Sequence, residues 1–287
     1  MIRIFSIGLQ AVFLAWLFVG AECLAHGDLH ERIMAASRKI EEEPLDAQRY
    51  ARRADLERQH ENWPAAMKDY DRARELDPTI RLDFERGRTL LEAGRAEDAL
   101  PLLESALRST PDDLQVLRIH ARALSRLGRR EEAASEFRST FTRTPVQDPE
   151  LVVETAESLV VLGLQEEAIG VLLEGIAKIG AHPALVLRSL DLAISSRDFD
   201  TALQQVEVMR QGAPRPEPWL ARRAGILAQA GRIEESRAAW QMLIDHLTAL
   251  PNLDRGSVSN RQLMEDAQKS LEKLSDEHGA PDAPPKL

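Results

Sequence analysis

Small residues recur along this chain at a nearly constant interval. Ala66, Ala99, Ala133, Ala168, Ala202 and Ser236 are separated by 33, 34, 35, 34 and 34 residues. A period of this length marks a chain built from one repeated supersecondary unit, and it governs the fold before local propensity is considered. Two other markers keep the same phase. Pro78, Pro111 and Pro145 close similar stretches 33 and 34 residues apart. Gly94, Gly128, Gly163 and Gly231 each stand five residues before the small residue of their repeat, where a helix has to end and the chain has to turn. The unit is therefore helix, tight turn, helix, with a proline-marked exit.

Within one unit, Phe84, Gly87, Leu90 and Leu91 form one stripe at helical spacing, and Ala99, Leu102, Leu103 and Ala106 form a second. Each helix pair can bury only part of this surface, so the next pair has to cover the rest and the repeats stack. Small residues let paired helices approach, and the fourth place after each of them holds a filler: Tyr70, Leu103, Phe137, Leu172, Val206 and Trp240. Burying such a side chain is worth about 1.5–3 kcal/mol.

The period, the glycine turn and closers such as Leu76-Asp77-Pro78 resemble the tetratricopeptide repeat (TPR), a helix pair of this length. The first unit carries the resemblance best, in Glu61-Asn62-Trp63-Pro64-Ala65-Ala66 and in the stretch from Tyr70 to Pro78. Later units depart from it: Gly180 stands for the closing proline, Arg197 for the turn glycine, and Trp219 is one place out of phase. The resemblance implies an all-α, right-handed TPR alpha-solenoid of about six repeats over residues 47–250. Capping helices are expected at both ends, within 26–46 and 251–276. At the first, Leu29, Ile33, Ala36 and Ile40 share a face; at the second, Leu263, Ala267, Leu271 and Leu274 do so. Residues 277–287, with Pro281, Pro284 and Pro285, are expected to be a disordered tail.

The N-terminus reads as a leader. Arg3 precedes an uncharged, mostly apolar run from Ile4 to Gly20, and Cys23 and Ala25 place small residues at the minus-three and minus-one positions. Cleavage after Ala25 is expected, which makes residues 1–25 a signal peptide and the mature protein periplasmic or secreted. The alternative is an uncleaved inner-membrane anchor, since the run is at the short end of a bilayer span. Glu22 argues against lipidation at Cys23, which needs a small residue directly before it. Removing the leader leaves no cysteine, so thiol catalysis and Cys-based zinc sites are excluded.

With 47 acidic against 37 basic residues the net charge is −10, which opposes nucleic acid as a partner. No HExxH, GxSxG, GxxxxGK[ST] or Rossmann glycine pattern occurs. The pairs Glu131-Glu132, Glu166-Glu167 and Glu234-Glu235 invite an acid–base reading, but they recur in phase at the start of the second helix, where the helix dipole favours them. The expected protein is thus no enzyme and needs no cofactor. The one metal alternative is the mature N-terminus, where the free amine and imidazole of His26, with His30 nearby, suit Cu(II) or Zn(II).

In TPR proteins that bind peptides, the first helix of each pair lines the concave groove. Carried over by phase, that resemblance places Arg58, Arg81, Phe84, Arg88, Leu91, Arg118 and Arg122 in an N-terminal, basic half, with Arg126 adjacent. It places Val153, Glu157, Val160, Leu187 and Asp191 in a more apolar C-terminal half. The expected partner is a protein or peptide with an acidic or carboxylate segment over Arg88, Arg118 and Arg122, the guanidinium being suited to bidentate carboxylate recognition. The binding set expected on this basis is Arg81, Phe84, Arg88, Arg118, Arg122, Val153 and Glu157. A membrane enters as a partner only if the leader is retained.

Overall fold

A computed structural model describes residues 28–145 and 148–278, and every element in them is a helix. The leader, with His26, and residues 279–287 of the expected tail lie outside the described residues. The chain divides into two compact units, the first ending at Glu136 and the second beginning at Phe137.

The first unit opens with α1 (residues 28–42), followed by α2 (Ala47–Gln59), α3 (Trp63–Leu76), α4 (Asp83–Glu92), α5 (Ala96–Ser109) and α6 (Leu114–Arg126). The boundary falls within α7 (Arg130–Arg143). The second unit continues with α8 (Pro149–Val161), α9 (Gln165–Ile179), α10 (Pro183–Ser195), α11 (Phe199–Gly212), α12 (Glu217–Gln229) and α13 (Ile233–Ala249). A short α14 (Asn252–Arg255) leads into α15 (Val258–His278). Helix thus extends two residues beyond Asp276, where the sequence placed its end.

Every pair turns in the same way. The third residue past the helix donates its backbone N–H five residues back: Asn62 to Glu57, Arg95 to Leu90, Arg129 to Leu124, Leu164 to Leu159, Asp198 to Ala193 and Arg232 to Leu227, all at 2.8–3.0 Å. This is the Schellman closure, and it needs a left-handed residue just before the donor. Gly94, Gly128, Gly163 and Gly231 supply it with φ of 79°, 75°, 77° and 72°. In the two pairs without the glycine, Glu61 and Arg197 take the same conformation, at φ 59° and 61°. Side chains of Asp46, Asp113, Asp148 and Asp198 accept backbone N–H bonds at the starts of α2, α6, α8 and α11.

The small residues occupy the tightest points: Ala66, Ala99, Ala168, Ala202 and Ser236 are fully buried and Ala133 nearly so. The fillers from Tyr70 to Trp240 are all buried as well. Where two helices come closest no Cβ fits, since one added to Gly175 would lie 2.6 Å from Val152 Cγ1. In the first unit, apolar clusters about Tyr70 and about Leu103 share Met67. In the second, clusters about Leu172 and about Leu243 share Leu203.

The ends are tied by polar hubs. Arg53 on α2 grips buried Asp69 on α3 through two bonds, at 2.6 and 2.7 Å, and donates to Ser37 Oγ on α1 at 3.1 Å. Arg237 on α13 donates to the Leu274 carbonyl of α15 at 2.8 Å. Ala267 and Leu274 on α15 are buried and Leu263 and Leu271 pack beside them, the face read from the sequence.

Two outcomes follow from this construction. Arg197→Gly removes a left-handed strain of about 1–2 kcal/mol, whereas Gly163→Ala introduces one. Hydrogen exchange should therefore slow in α10 and α11 of the first variant and quicken in α8 and α9 of the second. Burial pushes the Glu85 carboxyl up, and the nearby charges of Asp55 and Asp83 add to this. Between the unfolded value of about 4.3 and the raised folded one, the folded state holds more protons, so this group lowers stability as pH rises through that window. Glu85→Gln should raise the melting temperature at pH 7 and leave it unchanged well below pH 4.

Candidate functional site

The residues expected to bind a partner, Arg81 excepted, sit on the first helix of a pair. In the first unit these are α2, α4 and α6, and side chains join them edge to edge. Arg58 of α2 reaches Glu92 of α4, its Nη1 donating to both carboxylate oxygens at 2.9 and 3.1 Å. Arg88, one turn before Glu92, donates from Nε to the same carboxylate at 2.8 Å. On the other side of α4, Arg126 of α6 donates to the Leu91 carbonyl. The three helices thus present one continuous face, on which two guanidinium groups converge on a single carboxylate. Beside them Asp55 accepts a 2.7 Å bond from Tyr70 Oη. Burial first, and then this bond, raise the phenol far above its ordinary range, so it remains a donor.

Arg81 is exposed just before α4, and Arg118 and Arg122 are half-buried one turn apart on α6. Phe84 is half-buried and packs against the cluster of Leu90, Leu91 and Leu103. Glu92, on which Arg58 and Arg88 converge, is a residue that phase alone did not select. Its signal is present in the sequence, four residues after Arg88 and 34 after Arg58.

The second unit has its own first-helix face on α8, α10 and α12. Glu157 is held by Arg188 of α10, at 2.5 Å from Nε and 2.9 Å from Nη2. Asp191 lies 3.7 Å from Arg222 of α12. Its acidic groups are thus answered by arginines one place off the expected phase. Val153, Val160 and Ile194 pack against the core, while Leu187 is 40% exposed.

The recurring glutamate pairs occupy first turns of α7, α9 and α13. Arg129 holds Glu132 through two bonds and Arg232 holds Glu235 likewise, which lowers both carboxyls below their ordinary values. Groups fixed as ionised acceptors at a helix start are poorly placed for proton transfer. Among the described residues no three His, Cys, Asp or Glu side chains converge as a metal site, and no helix is long and apolar enough to cross a membrane.

A family profile for the tetratricopeptide repeat matches residues 51–113 and 84–147. No curated protein is found as a sequence relative. The fold is shared with solved structures of low identity. The C-terminal part of a TPR repeat-containing protein from Cytophaga hutchinsonii superposes with a TM-score of 0.61 at 15% identity, over 83% of this chain and 95% of that one. A tetratricopeptide repeat protein from Parabacteroides merdae gives 0.52 at 14% identity, over 89% and 98%. Pseudomonas aeruginosa pilF gives 0.51 at 16% identity, over 77% and 97%. The repeat period, the Schellman turns, the small-residue packing and these matches agree: this chain carries tetratricopeptide repeats within residues 51–147 and shares the helical fold of tetratricopeptide repeat proteins.

Proposed function

We propose that this protein is an exported, non-enzymatic scaffold whose first unit captures an acidic or carboxylate-ending segment of a protein partner. The repeat fold in general serves protein–protein interaction. The observation that carries the finer reading is the pair Arg58 and Arg88 closing on Glu92, a carboxylate held between guanidinium groups on the α2–α4–α6 face. Arg81, Arg118 and Arg122 extend the same chemistry along that face. A charge-assisted bond of this kind contributes about 1.5–3 kcal/mol, so two or three of them supply part of the roughly 8 kcal/mol that micromolar capture needs, and contacts along the rest of the segment supply the remainder.

The leader supports a periplasmic setting, with cleavage after Ala25 releasing the scaffold. An uncleaved leader would hold the same surface at the inner membrane, and N-terminal sequencing separates the two: the proposal expects His26 first, and Met1 in the membrane fraction would replace it with the anchored form. For the binding site, a photoreactive residue at Ser125, exposed at the end of α6, should crosslink the partner in cells. Arg118→Glu with Arg122→Glu should abolish that adduct, and an undiminished adduct would reject the site.

A further inference from the structure

We infer that α1 and α2 form a second peptide site, distinct from the arginines of the α2–α4–α6 face, which takes a segment in the polyproline II conformation with acidic side chains three residues apart. The two helices border an open cavity of about 730 Å³. Arg32 and Lys39 line it from α1 and Arg52 from α2, with Ala35, Ala36 and Leu56 between them. Arg32, Lys39 and Arg52 have no carboxylate partner among the described residues.

This arrangement is fixed from behind. Ile33 and Ile40 are buried, and Ser37 between them is held by the Arg53–Asp69 hub, so α1 cannot roll and its next stripe has to face the cavity. The acidic residues of the lining are mostly committed. Asp46 caps α2 and pairs with Arg49, and Asp55 receives the Tyr70 phenol. Only Glu42 opposes the three cations without a partner among the described residues.

The spacing selects the ligand. Arg32 and Lys39 are seven residues apart on a helix, about 10.5 Å along its axis. Three residues of polyproline II chain rise about 9 Å and complete one turn, so acidic side chains at the first and fourth positions share a face and meet both cations. The residues between them lie over Ala35 and Ala36, where there is room for small side chains. Gln48 and Gln59, also in the lining, offer amides to the bound backbone. Glu42, Asp46 and Asp55 around the cavity disfavour a polyphosphate or nucleic acid, whose charges are too closely spaced to avoid them. The site does not depend on the α2–α4–α6 reading, since it shares none of those arginines.

Fluorescence anisotropy with a labelled Gly-Glu-Ala-Ala-Glu-Gly peptide and purified protein at low salt tests the inference. The Gln-Ala-Ala-Gln counterpart should bind at least about tenfold more weakly, and Arg32→Glu with Lys39→Glu should cost the acidic peptide about tenfold or more. Arg52→Gln, which leaves α1 untouched, should cost several-fold. Arg74→Glu with Arg108→Glu, exposed on α3 and α5, should change nothing. Equal binding of the two peptides, or no effect of the α1 variant, would overturn the site. Vesicles containing phosphatidylglycerol that bind in place of the peptide, and lose binding in the same variant, would overturn the peptide assignment in favour of a membrane contact.

Discussion

A helix pair in this chain buries one side of its apolar stripe internally and leaves the other side for its neighbour. The rest of the structure depends on that incompleteness. Because the neighbour has to sit at a fixed distance, each crossing point takes a residue no larger than alanine or serine, and four places on a larger side chain fills the space that remains. Because the neighbour has to come at a fixed angle, each turn closes with the same backbone bond. Met67 and Leu203, each shared between two clusters, are the places where one pair's packing becomes the next pair's core. The scheme has no natural end, so a helix without a partner of its own covers the last face on either side. Those helices are secured by arginines, half-buried Arg53 and buried Arg237, since a short apolar stripe fixes the position of a helix along its axis poorly and a directional bond fixes it well.

The fold was legible because its constraints are local in sequence and repeat. Six observations of one period outweigh the degradation of any single marker, which is why the loss of glycine at Glu61 and Arg197 left the reading intact. The conformation at those two positions was not legible. Nothing in a glutamate or an arginine announces φ near 60°; the geometry is imposed by the bonds Asn62–Glu57 and Asp198–Ala193, with the Asp198 cap on α11 helping to offset the strain.

The site was legible in part, and the division has a physical cause. Phase predicts which face of a helix a residue occupies, because backbone geometry sets it. It does not predict where a guanidinium ends, because an arginine has four rotatable bonds and reaches across the gap to the next helix. Arg58 therefore selects Glu92 on the following first helix, and Arg188 and Arg222, one place off the expected phase, still reach Glu157 and Asp191. Phe84 shows the converse. Its place on the first helix follows from phase, and phase does not tell that its ring also packs against an incompletely covered cluster.

Net charge was the weakest guide to partners. At physiological salt a charge is felt over about 8 Å, much less than the length of a helix pair, so a ligand responds to the local surface and not to the sum of −10. Much of the negative charge sits at the helix starts, where Glu132 and Glu235 are held by the turn arginines that precede them. Those acids contribute to the total while presenting an already paired surface. The first-helix face of the first unit differs in kind: there Glu92 answers two arginines at once, Arg58 and Arg88. Net charge therefore says little about any one face of a chain whose carboxylates and arginines are so largely paired with one another.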